Sequence, residues 1–297
     1  MTQTIALLGH PVAHSISPAF QQAALDALGV EARYEAWDTP PGDVPDALER
    51  LRDPALLGAN VTVPHKLEAL RLADSADAVA RRIGAANTLV RREDGVLHAT
   101  NTDVAGVQRA LADASVALEG VEVVLIGAGG AARAVVAALR NGGARSLTVA
   151  NRTPERAEAL HEVAEEGDAP PLELRVCPLD VAAGPLRAAL ERAALVIHST
   201  SLGMRHGPDE AATPLPADCF SPGQAAFDLV YTPERTPFLH AAGAAGARPI
   251  GGLGMLVHQG AESFRLWTGL EPPLEVMFEA ARAALAARQG VARESKS

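Results

Sequence analysis

The feature that most constrains the fold is a strand that runs into a glycine-rich turn and then a helix, in VEVVLIGAGGAARAVVAALRNGG from residue 121. Gly127 permits a tight turn, Gly129 lets the backbone approach a pyrophosphate, and Ala132 stands where a third glycine is usual. The helix N-terminus offers free N–H groups and a favourable dipole to an anion. A GxGxxA turn alone is a weak signal, but its place between strand and helix predicts a dinucleotide-binding domain. The turn residues that we assign to the cofactor are Gly127, Ala128, Gly129, Gly130 and Ala131.

The end of the following strand indicates which dinucleotide binds. Domains that bind NAD carry an acidic residue about 20 residues after the glycine turn, where it accepts a hydrogen bond from the ribose 2′-hydroxyl. Here that segment is Asn151-Arg152-Thr153-Pro154-Glu155-Arg156, with no acid at the strand end. Arg152 and Arg156 can clamp a 2′-phosphate, and Asn151 and Thr153 can donate to it. A solvated pair of arginines that opens a helix is the alternative interpretation, and we predict NADP.

Composition removes several classes of function. The formal net charge is -10 and no basic run is longer than a pair, which argues against a nucleic-acid or anionic-membrane surface. No apolar run approaches the roughly 20 residues of a membrane helix, and the N-terminus lacks a signal-peptide pattern. Only two cysteines occur, without ligand spacing, so we expect no disulfide scaffold and no metal site. The composition predicts a cytoplasmic protein.

Strands and helices alternate along the chain, which predicts an α/β protein, and 297 residues suffice for two domains. Residues 1–105 combine short strands with helices and include a β-hairpin around Glu93-Asp94-Gly95. A helix over 103–118 leads into residues 106–240, for which we predict a doubly wound Rossmann domain. The strands expected there are VEVVLI, SLTVAN, ALVIHST and AAFDLVY, with RPIGG following them. The helical remainder, 241–297, is expected to pack back onto the first domain.

Polar clusters follow the predicted strands of the first domain, at HSISP (14–18), NVTVPHK (60–66) and NTD (101–103), with Asn87-Thr88 upstream. In an open α/β sheet, ligands bind at the carboxyl ends of the strands. The mixture of hydroxyls, amides, a lysine and an aspartate suits a small polyhydroxylated molecule. The chain has 24 arginines and only two lysines, so Lys66 within such a cluster points to chemistry that arginine cannot perform.

The chain resembles the shikimate dehydrogenase family, nearly from end to end. The matching segments are HSISP (14–18), GANVTVPHK (58–66), GAANTL (84–89), NTDVAG (101–106), GAGGAARA (127–134), NRTPERA (151–157), TSLGM (200–204), DLVYTPERTP (228–237) and GMLVHQG (254–260). The resemblance implies a substrate domain, an NADP-binding Rossmann domain and C-terminal helices that return to the first domain. It also implies the NADP-dependent interconversion of 3-dehydroshikimate and shikimate, a step of chorismate and aromatic amino acid biosynthesis.

The same resemblance implies roles for single residues. Lys66 and Asp103 would be the catalytic pair, since ketone reduction needs a proton that a lysine ammonium can supply and an arginine cannot. The substrate residues that it implies are Ser15 and Ser17 for the carboxylate, Asn60, Thr62, Asn87, Asp103 and Gln259 for the ring hydroxyls, and Tyr231 beside them. The residues that it adds to the cofactor site are Thr200, Met204 and Gly254, of which the last two lie in segments that border the nicotinamide.

Three positions depart from the family pattern. His65 replaces an aromatic residue before the lysine, and Ala86 replaces a larger aliphatic residue, both of which are consistent with changes in packing. His198 stands where an asparagine is common before the TSxGM segment. Nothing in the sequence explains His198.

Two other functions remain open at this point. A quinate/shikimate dehydrogenase that works with NAD would use the same fold and the same catalytic pair. A non-catalytic, nucleotide-sensing protein on this scaffold would have lost the proton donor or its partner, whereas Lys66 and Asp103 are both present. The sequence also leaves open whether the protein is a monomer or a homodimer.

Overall fold

The chain divides into two compact units, each with its own sheet. The computed structural model describes residues 2–165, 170–182, 184–205 and 207–294, with only the backbone described for residues 289–294. One unit comprises Met1–Gly106 together with Val257–Ser297, and the other comprises Val107–Leu256. Within the described ranges, no helix is both long enough and apolar enough to cross a membrane.

The first unit is built on a mixed sheet. Its strands among the described residues are β1 (Gln3–Gly9), β2 (Ala32–Asp38), β3 (Leu56–Val61), β4 (Ser75–Ala76), β5 (Thr88–Arg91) and β6 (Leu97–Thr100), in the spatial order β2-β1-β3-β5-β6-β4. β1 pairs in parallel with β2 and β3, whereas β5 pairs antiparallel with β3 and β6. The predicted hairpin is therefore confirmed, and β1, between two parallel neighbours, is a continuous apolar run buried from Ile5 to Leu8.

Short helices connect these strands and cover the sheet. They are α1 (Ser17–Ala27), α2 (Val44–Arg50), α3 (Lys66–Leu72) and α4 (Ala78–Ile83). α5 (Asp103–Asp113) follows β6 and leads into the second unit, to which it belongs from Val107 onward. Leu8, Leu48 and Leu89 meet in a core between the sheet and α2. Asp77 caps α4 by accepting the Ala80 N–H at 2.7 Å. α3 and α5 both begin directly after a sheet strand, which brings their first residues to the carboxyl edge of the sheet.

The second unit contains a fully parallel sheet. Its strands among the described residues are β7 (Glu122–Ile126), β8 (Ser146–Asn151), β9 (Glu173–Pro178), β10 (Leu195–His198), β11 (Ala225–Asp228) and β12 (Arg248–Ile250), in the order β12-β11-β10-β7-β8-β9. This is the doubly wound order, which reverses between β7 and β10, and confirms the predicted Rossmann fold. In such sheets a ligand binds outside the carboxyl ends of the strands at the reversal.

The helices of the second unit are α6 (Gly130–Asn141), α7 (Pro154–Glu158), α8 (His161–Glu165), α9 (Gly184–Arg192) and α10 (Pro237–Ala244). α5 ends at Asp113 and does not continue to residue 118 as predicted. Ser115 has a positive φ of 54°, and the Val116 N–H turns back to the Leu111 carbonyl at 2.9 Å. The unit itself extends to Leu256, beyond the boundary predicted at residue 240, because β12 pairs in parallel with β11.

The chain then returns to the first unit through α11 (Leu253–Thr268) and α12 (Leu274–Glu294). α12 packs against α1, as predicted for the C-terminal helices. Trp267 on α11 donates its indole N–H to the Leu89 carbonyl at 3.0 Å, which attaches the helix to β5. This docking carries the polar face of α11, with Gln259 and Ser263, to the first sheet.

Candidate active site

Lys66 and Asp103 form an ion pair in the first unit. Each is the first residue of its helix, Lys66 of α3 and Asp103 of α5. Lys66 Nζ donates to Asp103 Oδ2 at 2.6 Å, and the two side chains are 21% and 6% exposed. A helix N-terminus favours the aspartate and disfavours the lysine, so the aspartate compensates for the position of the ammonium. The result is a buried carboxylate that holds an ammonium which solvent can still reach.

The Asn87 amide connects this pair to α11. Its Nδ2 lies 2.8 Å from Asp103 Oδ1 and 3.1 Å from Gln259 Oε1. Its Oδ1 accepts the Thr102 backbone N–H at 2.7 Å. Because a backbone N–H can only donate, this bond fixes which way the amide faces. Both oxygens of Asp103 are thus hydrogen-bonded, one to the ammonium and one to the amide.

Asn60 occupies a second, deeper part of the same network. Tyr34 donates its hydroxyl to Asn60 Oδ1 at 2.7 Å, and Asn60 Nδ2 donates to Ser263 Oγ at 3.0 Å and to Thr88 Oγ1 at 3.2 Å. Burial raises the pKa of Tyr34, so its hydroxyl keeps the proton that it donates. The cluster therefore holds both asparagine amides in fixed orientations.

Four members of this network were not among the predicted site residues: Tyr34, Thr88, Thr102 and Ser263. Thr88 and Thr102 belong to the polar clusters noted in the sequence, and both are buried within the network. Ser263 lies four positions after Gln259, a spacing that places both on one helix face and is readable from sequence. Tyr34 is one of only two tyrosines in the chain, so its rarity was a usable signal.

Ser15, Ser17 and Thr62 lie apart from these hydrogen bonds, in the segments that follow β1 and β3. Ser15 Oγ accepts the Ser17 N–H at 3.2 Å, and Ser17 begins α1. The Thr62 N–H donates to the Leu8 carbonyl at 2.8 Å, which joins its loop to β1. The three hydroxyls therefore stand at the carboxyl ends of two adjacent parallel strands.

In the second unit, the glycine turn joins β7 to α6. Gly127 has a φ of 108°, and a Cβ there would come within 2.8 Å of Ser199 Oγ and of Thr200 Cγ2. Around Gly129, by contrast, no heavy atom of the described residues other than its chain neighbours lies within 4 Å of the position that a Cβ would take. The turn thus leaves an open approach to the N-terminus of α6, where free N–H groups favour an anion.

The end of β8 carries cations rather than an acid. Arg152 and Arg156 are both exposed. Asn151 uses its Nδ2 to donate to the Thr153 carbonyl at 2.8 Å. The amide of Asn151 therefore shapes the turn, and the two guanidinium groups are the donors that face outward.

The other predicted residues of the second unit lie in three places. Thr200 and Met204 follow β10, and Met204 is 37% exposed. Tyr231 follows β11 and is half-buried. Gly254 lies in the first turn of α11, where a Cβ would be 3.6 Å from that of Ala110. No group of three or more His, Cys, Asp or Glu side chains is arranged for a metal ion in the described parts of the chain.

Three family models match the chain in succession. Residues 7–89 match the shikimate dehydrogenase substrate binding domain, and residues 109–203 match shikimate / quinate 5-dehydrogenase. Residues 252–282 match the shikimate 5'-dehydrogenase C-terminal domain.

Curated relatives are similar along almost their whole length. The shikimate dehydrogenase (NADP(+)) of Moorella thermoacetica is 48% identical over 290 residues, which are 97% of this chain and 96% of the relative. An enzyme of the same name from Thermus thermophilus is 47% identical over 280 residues, which are 94% of this chain and 98% of the relative.

Solved structures share the fold. Shikimate 5-dehydrogenase from Thermus thermophilus, in complex with NADP(H) and shikimate, superposes with a TM-score of 0.83 at 44% identity, over 95% of this chain and 100% of that one. Quinate dehydrogenase from Corynebacterium glutamicum, in complex with NAD, also gives 0.83, at 30% identity over 95% and 99% of the two chains. With family models, relatives and structures in agreement, this chain belongs to the shikimate dehydrogenase family.

Proposed function

We propose that this protein catalyses the NADP-dependent, reversible reduction of 3-dehydroshikimate to shikimate, with Lys66 and Asp103 as its catalytic pair. The observation that carries the proposal is the 2.6 Å contact between Lys66 Nζ and Asp103 Oδ2, inside a network of fixed amides and hydroxyls. Family membership supports the reaction and the cofactor. The roles of the individual residues rest on the chemistry below.

Lys66 supplies the proton in the reductive direction. As the ketone carbon gains a hydride, negative charge develops on its oxygen, and the ammonium of Lys66 gives that oxygen a proton. In the oxidative direction the Lys66 amine takes the same proton back. Asp103 holds Nζ at one angle and stabilises its positive charge, while Asn87 keeps the second carboxylate oxygen occupied. A guanidinium in place of Lys66 would not release a proton at useful rates.

The second unit fits NADP. The space around Gly129 and the free N–H groups that begin α6 suit a pyrophosphate, and exposed Arg152 and Arg156 suit a 2′-phosphate. NADPH, when bound, supplies the hydride. The missing acid at the end of β8 removes the acceptor that NAD would need for its 2′-hydroxyl.

The first unit fits a small polyhydroxylated acid. The hydroxyls of Ser15 and Ser17 hold the carboxylate in this proposal. The residues proposed for the ring hydroxyls are Asn60, Thr62, Asn87, Asp103 and Gln259. Several of these groups already hold fixed orientations through bonds to one another, so little ordering is needed when substrate binds. The role of Tyr231 stays a prediction.

We also propose that the protein works in the cytoplasm. Cys177 and Cys219 are both free and buried, as suits a reducing compartment. The expectation of a monomer or homodimer stays a prediction that sedimentation analysis would test.

The experiment is to measure shikimate oxidation by Lys66→Ala. Loss of a general acid and base lowers kcat by about 10²–10⁴-fold, with a much smaller change in shikimate affinity. Arg71→Ala is the matched control, because Arg71 lies on the same helix, is 69% exposed and pairs only with Glu68 among the described contacts. Near-normal turnover by Lys66→Ala would remove Lys66 from the mechanism.

A further inference from the structure

His198 is a buried titratable residue that the proposed mechanism does not use. It is the last residue of β10, and both it and Asp228, the last residue of β11, are 0% exposed. The two are register partners in the parallel sheet. A buried imidazole needs partners for both ring nitrogens, and His198 has both.

On one side, His198 Nδ1 lies 3.0 Å from Asp228 Oδ1. The same carboxylate accepts the Val230 N–H at 2.9 Å and the Thr236 hydroxyl at 2.5 Å. An ionised carboxylate can only accept, so this pattern assigns the Nδ1 proton to the bond with Asp228. Thr236 in turn caps α10 through the Leu239 N–H. The imidazole is thereby fixed to the start of α10.

On the other side, His198 Nε2 lies 2.5 Å from Thr200 Oγ1. The Leu202 N–H donates to that oxygen at 3.3 Å. With the ring proton on Nδ1, as the bond to Asp228 assigns it, Nε2 is an acceptor, and the Thr200 hydroxyl donates to it. This contact sets the χ1 rotamer of Thr200.

The rotamer of Thr200 matters because of what its other branch touches. Oγ1 and Cγ2 share one carbon, so a rotation that releases Oγ1 also moves Cγ2. Cγ2 is one of the two atoms that lie 2.8 Å from the position a Cβ would take on Gly127. The adjoining Ser199 N–H donates to the Ile126 carbonyl at 2.9 Å, directly before the glycine turn. The segment around Thr200 therefore packs directly against the glycine turn, so that a shift of one moves the other.

We propose that His198 is a positioning residue of the cofactor site. Asp228 holds the imidazole, and the imidazole orients Thr200. Thr200 in turn packs its Cγ2 against the glycine turn at Gly127. This inference rests on the proposed binding of NADP at that turn. It accounts for the histidine as a substitute for asparagine: either side chain can donate to Asp228, but the imidazole also reaches Thr200.

The test is a double-mutant cycle of His198→Asn and Thr200→Val, with affinity read from NADPH fluorescence without shikimate. His198→Asn keeps a donor near Asp228 and loses the bond to Thr200, so we expect NADPH to bind about 3- to 10-fold more weakly. The shikimate KM at saturating NADP should change by less than about twofold.

If His198 acts through Thr200, the double variant will bind NADPH no more weakly than the worse single variant. Ser201→Ala removes an exposed neighbouring hydroxyl and is the control.

Unchanged NADPH affinity in His198→Asn overturns the proposal, as do strictly additive losses or equal losses for NADPH and shikimate. If His198→Asn does not fold, His198→Gln takes its place in the cycle. Unchanged NADPH affinity in that variant, or a loss that adds fully to the loss in Thr200→Val, overturns the proposal, and a selective loss that does not add supports it. If the wild type binds NADPH but does not oxidise shikimate, only the proposed function is refuted. The NADPH affinities of the double-mutant cycle still test the role of His198. A wild type with no affinity for NADPH overturns both.

Discussion

Asn87 shows how the first unit orients its polar side chains one residue at a time. The Thr102 N–H fixes Asn87 Oδ1, so Nδ2 must face Asp103 and Gln259. The contact to Asp103 does not depend on an assumed orientation of the Asn87 amide, since the backbone donor decides it. Side chains that are fixed before a ligand arrives lose less conformational entropy on binding. The polar cluster is thus suited to a ligand with several hydroxyls at set positions.

Arg152 gives a prediction at the same scale. Arg152→Ala should weaken NADP by about 1.5–3 kcal/mol, which is roughly 10- to 150-fold in the dissociation constant, because a charged hydrogen bond to the 2′-phosphate is lost. NAD has no such phosphate, so its affinity should hardly change. Titration of both oxidised cofactors against the variant and the wild type checks this.

The control for that titration is Arg175→Ala. Arg175 lies on the neighbouring edge strand β9, is 50% exposed and pairs with Glu173 at 2.5 Å, so it shares the charge but not the position. Equal losses for NADP and NAD in Arg152→Ala would show that Arg152 does not distinguish the two cofactors.

At this scale the sequence predicts the residues that are chemically unusual. Lys66 stands out because lysine is rare in an arginine-rich chain, whereas the role predicted for Asp103 rests on the resemblance to the family. Tyr34 and Ser263 had local signals, in the rarity of tyrosine and the spacing to Gln259, but their contacts with Asn60 span 26 and 203 positions of sequence. Contacts of that separation depend on sheet order and helix docking, which no local pattern carries.

At the scale of elements, the β7–turn–α6 unit uses its glycines for different reasons. The folded backbone requires a glycine at Gly127. Its φ is positive, and a Cβ there would overlap the side chains beside it. Gly129 has an extended conformation with a φ of -88° and open space around it. No contact among the described residues requires a glycine at position 129, which is consistent with the proposed approach of a pyrophosphate to this turn.

The two glycines should therefore respond differently to alanine. Gly129→Ala should leave the melting temperature nearly unchanged and weaken NADPH by at least about tenfold, since the methyl group occupies the approach to the helix N-terminus. Gly127→Ala should lower the melting temperature itself, because strain and overlap arise without any ligand. Thermal unfolding and NADPH titration of both variants check this. A Gly129→Ala protein that binds NADPH as the wild type does would place the anion elsewhere.

Element prediction succeeded where apolar periodicity was strong and failed where it was weak. The buried strands and the Asp-Gly hairpin were recognisable. β9 was missed because it is an edge strand in which Glu173 and Arg175 are exposed and the last residue is a proline. Such residues keep an edge strand from pairing with another chain, and they also weaken the apolar pattern by which a strand is recognised. The end of α5 was placed too late because the apolar residues continue past Ser115, while the backbone there turns into the left-handed region.

At the scale of the whole molecule, the first unit is discontinuous in sequence and the second is not. Val257–Ser297 supplies the first unit with the polar face of α11 and with α12. Gln259 and Ser263 from this return segment bond to Asn87 and Asn60. Chain length predicts two domains, the alternation of strands and helices predicts an α/β fold, and the resemblance to the family implies the return of the C-terminal helices. β12 lies within the expected strand RPIGG, but the strand pattern does not say which sheet it joins. Its parallel pairing with β11 places it in the second unit and the return of the chain after it.

Truncation after Leu256 tests this organisation. The shortened chain keeps the second unit whole and deprives the first unit of α12 and of its α11 contacts. We expect NADPH binding to persist within about threefold in affinity, and shikimate oxidation to be lost. Fluorescence titration and steady-state rates on the same preparation check both. Turnover by the truncated chain would contradict the role given to the return segment.

NADP-dependent oxidation of shikimate is tested by the initial rate of nicotinamide reduction with the purified protein. Shikimate and quinate would each be paired with NADP and with NAD. We expect shikimate with NADP to give a kcat/KM at least about tenfold above any other pair. Faster reduction with quinate or with NAD, or no reduction in any of the four pairings, would contradict the proposed function.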